Sequence, residues 1–357
     1  MHIALFLTLL PCAIALTTCT SETVLQRKEW SSLASKDRIA YNDAIICLMN
    51  KPSIYDAGVV PASTSYYTDF AAAHANVSLS IHQSGTFLSW HREFLHLFES
   101  ALHTECDYPS DLGIPYWDWP LYTDAPLTDS TLFDGSPDSL GGNGAPIPNR
   151  PPHVLSASES VMINNELTPG SSIPLGSGGG CVVTGPFANT TVSLGPFPAQ
   201  YISTGLPNNW TEPNPHCISR DLNDWALDYF TNSSRVTSLL ATLNITSFQF
   251  ELSPIHRGGH ISIGGQMADF YVSPLEPAFW LHHAQIDRLW DFWQKDGEGD
   301  ERLYMYNGTS TFQNPIDGTP EVRNETEIEF WPLSEEITLR EASGGLAQGG
   351  RYFYQYV

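Results

Sequence analysis

Basic residues are scarce: 16 Lys and Arg face 39 Asp and Glu, for a formal net charge of −23. That balance excludes the basic footprint that nucleic acid or an anionic membrane surface requires. Past the first residues, no run approaches 18 uninterrupted apolar residues, so no membrane-spanning helix is expected in the body of the chain. Repeats of about 20–50 residues and sustained heptads are also missing, which excludes solenoids and coiled coils. What is present is apolar: 41% hydrophobic and 12% aromatic residues over 357 positions exclude disorder and supply a large core, as one big domain or two smaller ones.

Met1 to Ala15 hold a short apolar stretch ending in the small-x-small pattern Ala13-Ile14-Ala15. It is too short to span a bilayer and reads as a secretory signal over residues 1–18, with an approximate cleavage point. Seven Asn-x-Ser/Thr sequons, at Asn76, Asn189, Asn209, Asn232, Asn244, Asn307 and Asn324, fit secretion and are the expected N-glycan sites. Cysteine is sparse. Of six, Cys12 leaves with the signal, so Cys19, Cys47, Cys106, Cys181 and Cys217 remain in an oxidising compartment. The odd number predicts two disulfides and one free thiol, with the pairing open.

Two core helices stand out. Thr86 to Thr104 aligns Phe87, His91, Phe94, Leu95, Phe98 and Leu102 at three- and four-residue spacing. Pro277 to Lys295 opens with proline at a first helical position and aligns Phe279, His283, Ile286 and Trp290. Each carries a histidine on its apolar face, pointing inward. Between them, residues 120–220 are rich in Gly, Pro, Ser and Asn and read as long loops over a helical core. They are not a linker, because histidines on either side must meet at one site, and residues 19–357 are expected to form one domain.

Those histidines come in two sets: His74, His82 and His91, then His256, His260 and His283. Six neutral imidazoles with no carboxylate or thiolate among them suit copper better than magnesium, calcium or an iron–sulfur cluster. His256 and His260, four apart, lie about 40° from each other around a helix and can grip one metal. A zinc-protease helix needs Glu after the first histidine, and Arg257 stands there instead. His82 and His91, nine apart, fall about 180° apart on a helix, so His82 must reach over from a loop before it.

The flanks carry a resemblance. His82-Gln-Ser-Gly-Thr-Phe-Leu-Ser-Trp-His91-Arg-Glu-Phe-Leu-His-Leu-Phe-Glu99 and Glu276-Pro-Ala-Phe-Trp-Leu-His-His283-Ala-Gln-Ile-Asp287-Arg-Leu-Trp290 closely resemble the copper A and copper B signatures of the tyrosinase and catechol oxidase family. Pro115-Tyr-Trp-Asp-Trp119 and the terminal Tyr352-Phe-Tyr-Gln-Tyr356 are similar to further family motifs, and Arg27 falls where the family's amino-terminal arginine packs against the second. The resemblance covers most of the chain past the signal.

It implies a mainly α fold: a four-helix bundle housing a type-3 dicopper centre, with long Gly/Pro-rich loops and few short strands. It places His74, His82 and His91 on copper A, and His256, His260 and His283 on copper B. The implied activity takes o-diphenols, and substituted or methoxylated monophenols as a further class, to o-quinones with dioxygen. The chain ends directly after the tyrosine motif, which resembles a short secreted fungal type without a shielding carboxy-terminal domain. A haemocyanin-like dioxygen carrier, an oxidase dedicated to one secondary metabolite, and a non-enzymatic binding protein are the competing readings.

Several positions refine the expectation. Ser80 stands where many relatives carry a cysteine bonded to the ligand ring, so no thioether is expected at His82. Arg257 replaces an asparagine that helps deprotonate phenols in efficient monophenol hydroxylases; a guanidinium cannot act as a base, but it can attract an acidic phenol or narrow the entrance. Glu251 is the candidate to hold a water as base relay, or else a helix-start carboxylate. Phe279 resembles the aromatic over copper B that stacks on substrate, and core filling would serve it equally. Glu276 replaces the usual Asp before Pro277 and is a poorer helix cap. Asp287 either orients a ligand by hydrogen bonding or pairs at the surface with Arg288 or Lys295. His282 is expected to pack or to support a neighbouring ligand, and His96, His103, His153 and His216 are expected in ordinary roles.

Overall fold

The computed structural model describes residues 24–298, 301–314, 318–344 and 351–357. The signal segment and Cys19 lie outside the described residues. Among the described residues, ten α-helices order the chain: α1 (Ser35–Asn50), α2 (Tyr66–Ile81), α3 (Phe87–Cys106), α4 (Ala157–Met162), α5 (Tyr201–Thr204), α6 (Asp224–Thr231), α7 (Ser233–Leu240), α8 (Ile245–Ile263), α9 (Ala278–Lys295) and α10 (Leu339–Ser343). Strands among the described residues form only two-stranded pairings, as a mainly α fold requires.

Helix boundaries follow local chemistry. Ser65 starts α2 with a reciprocal capping box to Thr68, and Asn244 starts α8 by accepting the Ser247 N–H. Gly264 stops α8 at φ +64°, a conformation that disfavours any side chain. The two expected core helices appear within two residues of their expected ends, as α3 and α9.

Aromatic rings join α2, α3 and α9, and Phe248 of α8 meets Trp293 of α9 at 5.0 Å. Phe98 and Trp280 stack with centroids 3.5 Å apart, and Phe70 and Phe94 meet Trp280 at 5.5 and 5.1 Å. All are fully buried, and each contributes about 1.5–3 kcal/mol by leaving water. Disulfides resolve the open pairing: Cys47–Cys106 ties the end of α1 to the end of α3, and Cys181–Cys217 pins the long loop region.

The chain ends meet. Leu25–Arg27 pairs in parallel with Tyr354–Tyr356, which brings Arg27 under the tyrosine motif, with its guanidinium carbon 3.5 Å from the Tyr354 ring centre. Asp287 corrects both expectations made for it: it neither touches a candidate ligand nor pairs at the surface. It is buried and accepts from Arg92 Nε at 2.6 Å, Arg27 Nη1 at 3.3 Å and the Tyr354 and Tyr356 hydroxyls. Arg27 also forks onto Glu99 at 2.9 and 3.0 Å, so two cations and two carboxylates balance inside one core. Glu276 is likewise more than a weak cap. It takes a two-pronged bond from the buried Arg220 at 2.6 and 3.0 Å while accepting the Ala278 N–H at 3.2 Å.

Candidate metal centre

His74 projects from α2, His82 caps its end, His91 projects from α3, His256 and His260 from α8, and His283 from α9. All six are at most 8% exposed. Four share one device: Nδ1 of His74, His82, His91 and His260 lies 2.7, 2.9, 2.8 and 2.8 Å from the carbonyls of Tyr271, Ser78, Phe87 and Met267. A carbonyl only accepts, so Nδ1 carries the proton and Nε2 presents a bare lone pair.

The lone pairs converge. Nε2 of His74 and of His91 are buried with no hydrogen-bond partner. On the other side, His260 Nε2 lies 2.9 Å from His256 Nε2 and 3.3 Å from His283 Nε2. Bare nitrogens aimed at one another repel unless a cation sits between them, so both triads fit a metal. The triads also face each other: the His91 and His283 rings stack at 4.4 Å, and His82 and His256 at 6.1 Å. Burial, then neighbouring imidazoles and Arg257, holds these rings well below their usual range, His82 down to about 4. They are therefore neutral and ligand-ready at ordinary pH.

His282 lies within ligand reach of the second triad. Trp119 Nε1 donates to its Nδ1 at 3.1 Å, which leaves the ring's proton on Nε2 and removes that nitrogen from coordination. Its packing role thus links the Pro115–Trp119 stretch to α9. Neighbouring glycines let helices come this close: a Cβ at Gly259 would collide with the His282 ring, and one at Gly258 with Phe230.

Arg257 is buried and paired, with Nη2 3.3 Å from Glu159 Oε1 on α4 and Nη1 3.0 Å from the Ala268 carbonyl. Burial pushes the Glu159 carboxyl up, but His153, Arg257 and the Ser156 N–H outweigh it and hold the group at about 2. The pair stays ionised. Two expectations are corrected here. Phe279 is fully buried, its ring 4.2 Å from His283 and 5.7 Å from His74, and it lines neither space beside the histidines, so it fills core rather than meeting a substrate. Glu251, five residues before His256 and so about 140° around α8, is half-buried and faces Arg235. It lines none of the space beside the histidines.

Other groups do that work and were missed. Phe87 packs 4.6 Å from His91 and 4.8 Å from His256, and Phe270 packs 4.7 Å from His82. Phe87 lies one helical turn before His91, a readable signal; Phe270 sits in a turn with none. Asp269, pushed up to about 6 by burial, accepts N–H bonds from Phe197, Tyr271 and Val272. It folds the turn that offers the Met267 and Tyr271 carbonyls to His260 and His74, one ligand candidate in each triad. Ser80 turns its hydroxyl to the Val77 carbonyl at 2.8 Å, and makes no link to His82. His96, His103, His153 and His216 lie outside both triads, against Tyr352, Tyr108, Glu159 and Gln266. A narrow gap bounded by His82, Met162, His256, Arg257, His260 and Phe270 adjoins the histidines.

Comparison with known proteins agrees with this arrangement. The family model for the common central domain of tyrosinase matches residues 64–296, which contain both triads. The chain belongs to the tyrosinase family. It is 40% identical over 340 residues to Tyrosinase P of Aspergillus terreus, covering 92% of this chain and 91% of that one. It is 36% identical over 359 residues to N-acetyl-6-hydroxytryptophan oxidase of Emericella nidulans, covering 95% and 93%. A polyphenol oxidase from Thermothelomyces thermophila superposes with a TM-score of 0.83 at 34% identity, over 95% of this chain and 90% of that one. This tyrosinase-family protein is a copper-dependent phenol oxidase of the type-3 dicopper class.

Proposed function

We propose that the enzyme is secreted and converts o-diphenols to o-quinones with dioxygen, and that substituted or methoxylated monophenols are a further substrate class. His74, His82 and His91 would hold one copper, and His256, His260 and His283 the other. The observation that carries this is the stacking of His91 on His283, one ring from each triad, at 4.4 Å. Bound there, two coppers supply dioxygen uptake and electron transfer from the phenol. The chain's own part is to keep six imidazoles neutral and oriented, to exclude water with Phe87 and Phe270, and to narrow one side of the gap with the Arg257–Glu159 pair. Arg257 stays cationic and takes no proton from a phenol.

A reading as an oxidase dedicated to one secondary metabolite is supported by the likeness to N-acetyl-6-hydroxytryptophan oxidase. Secretion as one domain over residues 19–357 is supported by the apolar first residues and by exposed sequons at Asn76, Asn189, Asn209 and Asn244, whereas Asn232, Asn307 and Asn324 are half-buried. No described helix is long and apolar enough to cross a membrane.

Copper quantitation with oxygen uptake on tyrosine, catechol, guaiacol and 4-substituted catechols tests the function. Two coppers per chain and catechol turnover are expected. His91→Ala and His283→Ala should each lose about one copper and all turnover, because one triad is left with two donors. Full metal content or retained activity in either variant would sink the coupled-site assignment.

A further inference from the structure

A larger space adjoins the gap over the histidines. The cavity, about 290 Å3, borders it through His256 and has the volume of a small ligand site. Its inner wall is Phe87, already in contact with His91 and His256. At its mouth stands Phe250, 60% exposed, an aromatic face left in water.

The remaining wall is unusual for so acidic a chain. None of its lining residues is Asp, Glu, Lys or Arg. Six are carboxamides: Gln83, Asn164, Gln249, Asn307, Gln313 and Asn314. They come from α8, the turn after α2, the loop after α4 and the 307–314 loop, so no single stretch of sequence accounts for them.

Part of their hydrogen-bonding capacity holds the wall together. Gln83 Nε2 donates to the Val161 carbonyl at 3.0 Å, Asn164 Nδ2 to the Phe250 carbonyl at 2.6 Å, and Asn307 Nδ2 to Gln249 Oε1 at 3.3 Å. Part is left over, since Gln83 Oε1 is buried without a partner. Arg257, which borders the adjoining gap, is committed to Glu159.

Carboxamides both donate and accept, so they can pair with an amide, carbonyl or hydroxyl. They cannot neutralise an ammonium or a carboxylate, and stripping water from such a group without a counter-charge is costly. We propose that this cavity receives the ring substituent of the phenol and selects an uncharged, hydrogen-bonding one. The preferred substrate class is then a phenol carrying an amide, ketone or hydroxyl side chain rather than a free amino acid. The inference rests on the phenol-oxidase reading and adds the substituent to it.

The test compares catechol, N-acetyldopamine, dopamine and 3,4-dihydroxyphenylacetate on the copper-loaded full chain. N-acetyldopamine should exceed both charged compounds in kcat/KM by on the order of tenfold. Anaerobic titration calorimetry should rank their affinities in the same order without turnover. Gln249→Glu should shift the ratio towards dopamine, and Gln249→Lys towards the acid; because each ratio is internal to one protein, partial misfolding cancels. Equal kcat/KM for the three substituted catechols, or ratios unmoved by both variants, would overturn the proposal. Absence of catechol oxidation at two coppers per chain would overturn the oxidase reading, and this inference with it.

Discussion

Replacing Asp287 with Asn should destabilise this enzyme although the carboxylate bonds no candidate ligand. The carboxylate receives four donors: two guanidinium N–H groups, from Arg92 and Arg27, and the Tyr354 and Tyr356 hydroxyls. An Asn side chain offers one acceptor oxygen and turns an N–H2 towards donors. It also leaves Arg27, Arg92 and Glu99 with one uncompensated positive charge in a core where none of them is more than 2% exposed. Breaking a buried pair on one side costs about 3–5 kcal/mol. At about 2.1 cal/mol/K of unfolding entropy per residue, a chain of 357 residues shifts by about 1.3 °C per kcal/mol, so Tm should fall by about 4–7 °C.

The exposed pair Lys51–Glu105, at 3.4 Å, gives the contrast. Its side chains are 39% and 44% exposed, so Glu105→Gln should cost less than about 1 kcal/mol. Calorimetric scans of the wild type and both variants, with copper content measured in parallel, decide the matter. The acid limb carries a second signature. Burial pushes the Asp287 carboxyl up, but Arg92, Arg27 and the two tyrosine hydroxyls outweigh it and hold the group below its usual range. A depressed carboxylate contributes stability above its unfolded pKa and loses it as pH falls through the folded value, so the gap between wild type and variant should narrow below about pH 4. A Tm within about 2 °C of wild type, or a loss no larger than that of Glu105→Gln, would refute the reasoning.

Gly259→Ala should be disruptive although it adds one methyl group: its Cβ would collide with the His282 ring, forcing α8 and α9 apart at a cost of about 1–3 kcal/mol. Wild-type Tm together with full copper would contradict it. In the metal-free chain, burial holds His82 at about 4 and His282 at about 3, below the unfolded value near 6.5. A lowered imidazole pKa contributes stability above the unfolded value and loses it as pH falls, so apoprotein stability should drop between about pH 6.5 and 4 by up to about 1.4 kcal/mol per pH unit for each such ring. Urea midpoints flat across that window would argue against neutral buried rings. Glycopeptide mapping should find Asn76, Asn189, Asn209 and Asn244 occupied and Asn307, which lines the cavity and bonds Gln249, bare.

The ligand candidates and their helices were legible because metal chemistry writes local patterns. His256 and His260 share a helical face, and His91 and His283 lie on apolar faces whose period is visible in fifteen or so residues. Arg27 against the tyrosine motif was legible only through resemblance, since its parallel pairing joins residues at opposite ends of the chain. What could not be read are interactions between distant segments. Asp287 carries no sign that Arg92 and Arg27 will reach it, nor Glu276 that Arg220 will.

Glu251 was misplaced for a different reason: its proximity to His256 in sequence suggested proximity in space, while five residues of helix turned it away. Phe279 shows the same lesson from the other side, because a ring one turn from a ligand candidate can fill the core as readily as face a substrate. Substrate recognition is the extreme case. The cavity beside His256 draws on residues from Gln83 to Asn314, each an unremarkable polar residue in its own loop or helix. Its chemistry exists only as a juxtaposition, so relatives can keep six histidines unchanged and still take different phenols. Specificity in this fold should therefore track the charge of the wall rather than the ligands, which is what the Gln249 variants measure.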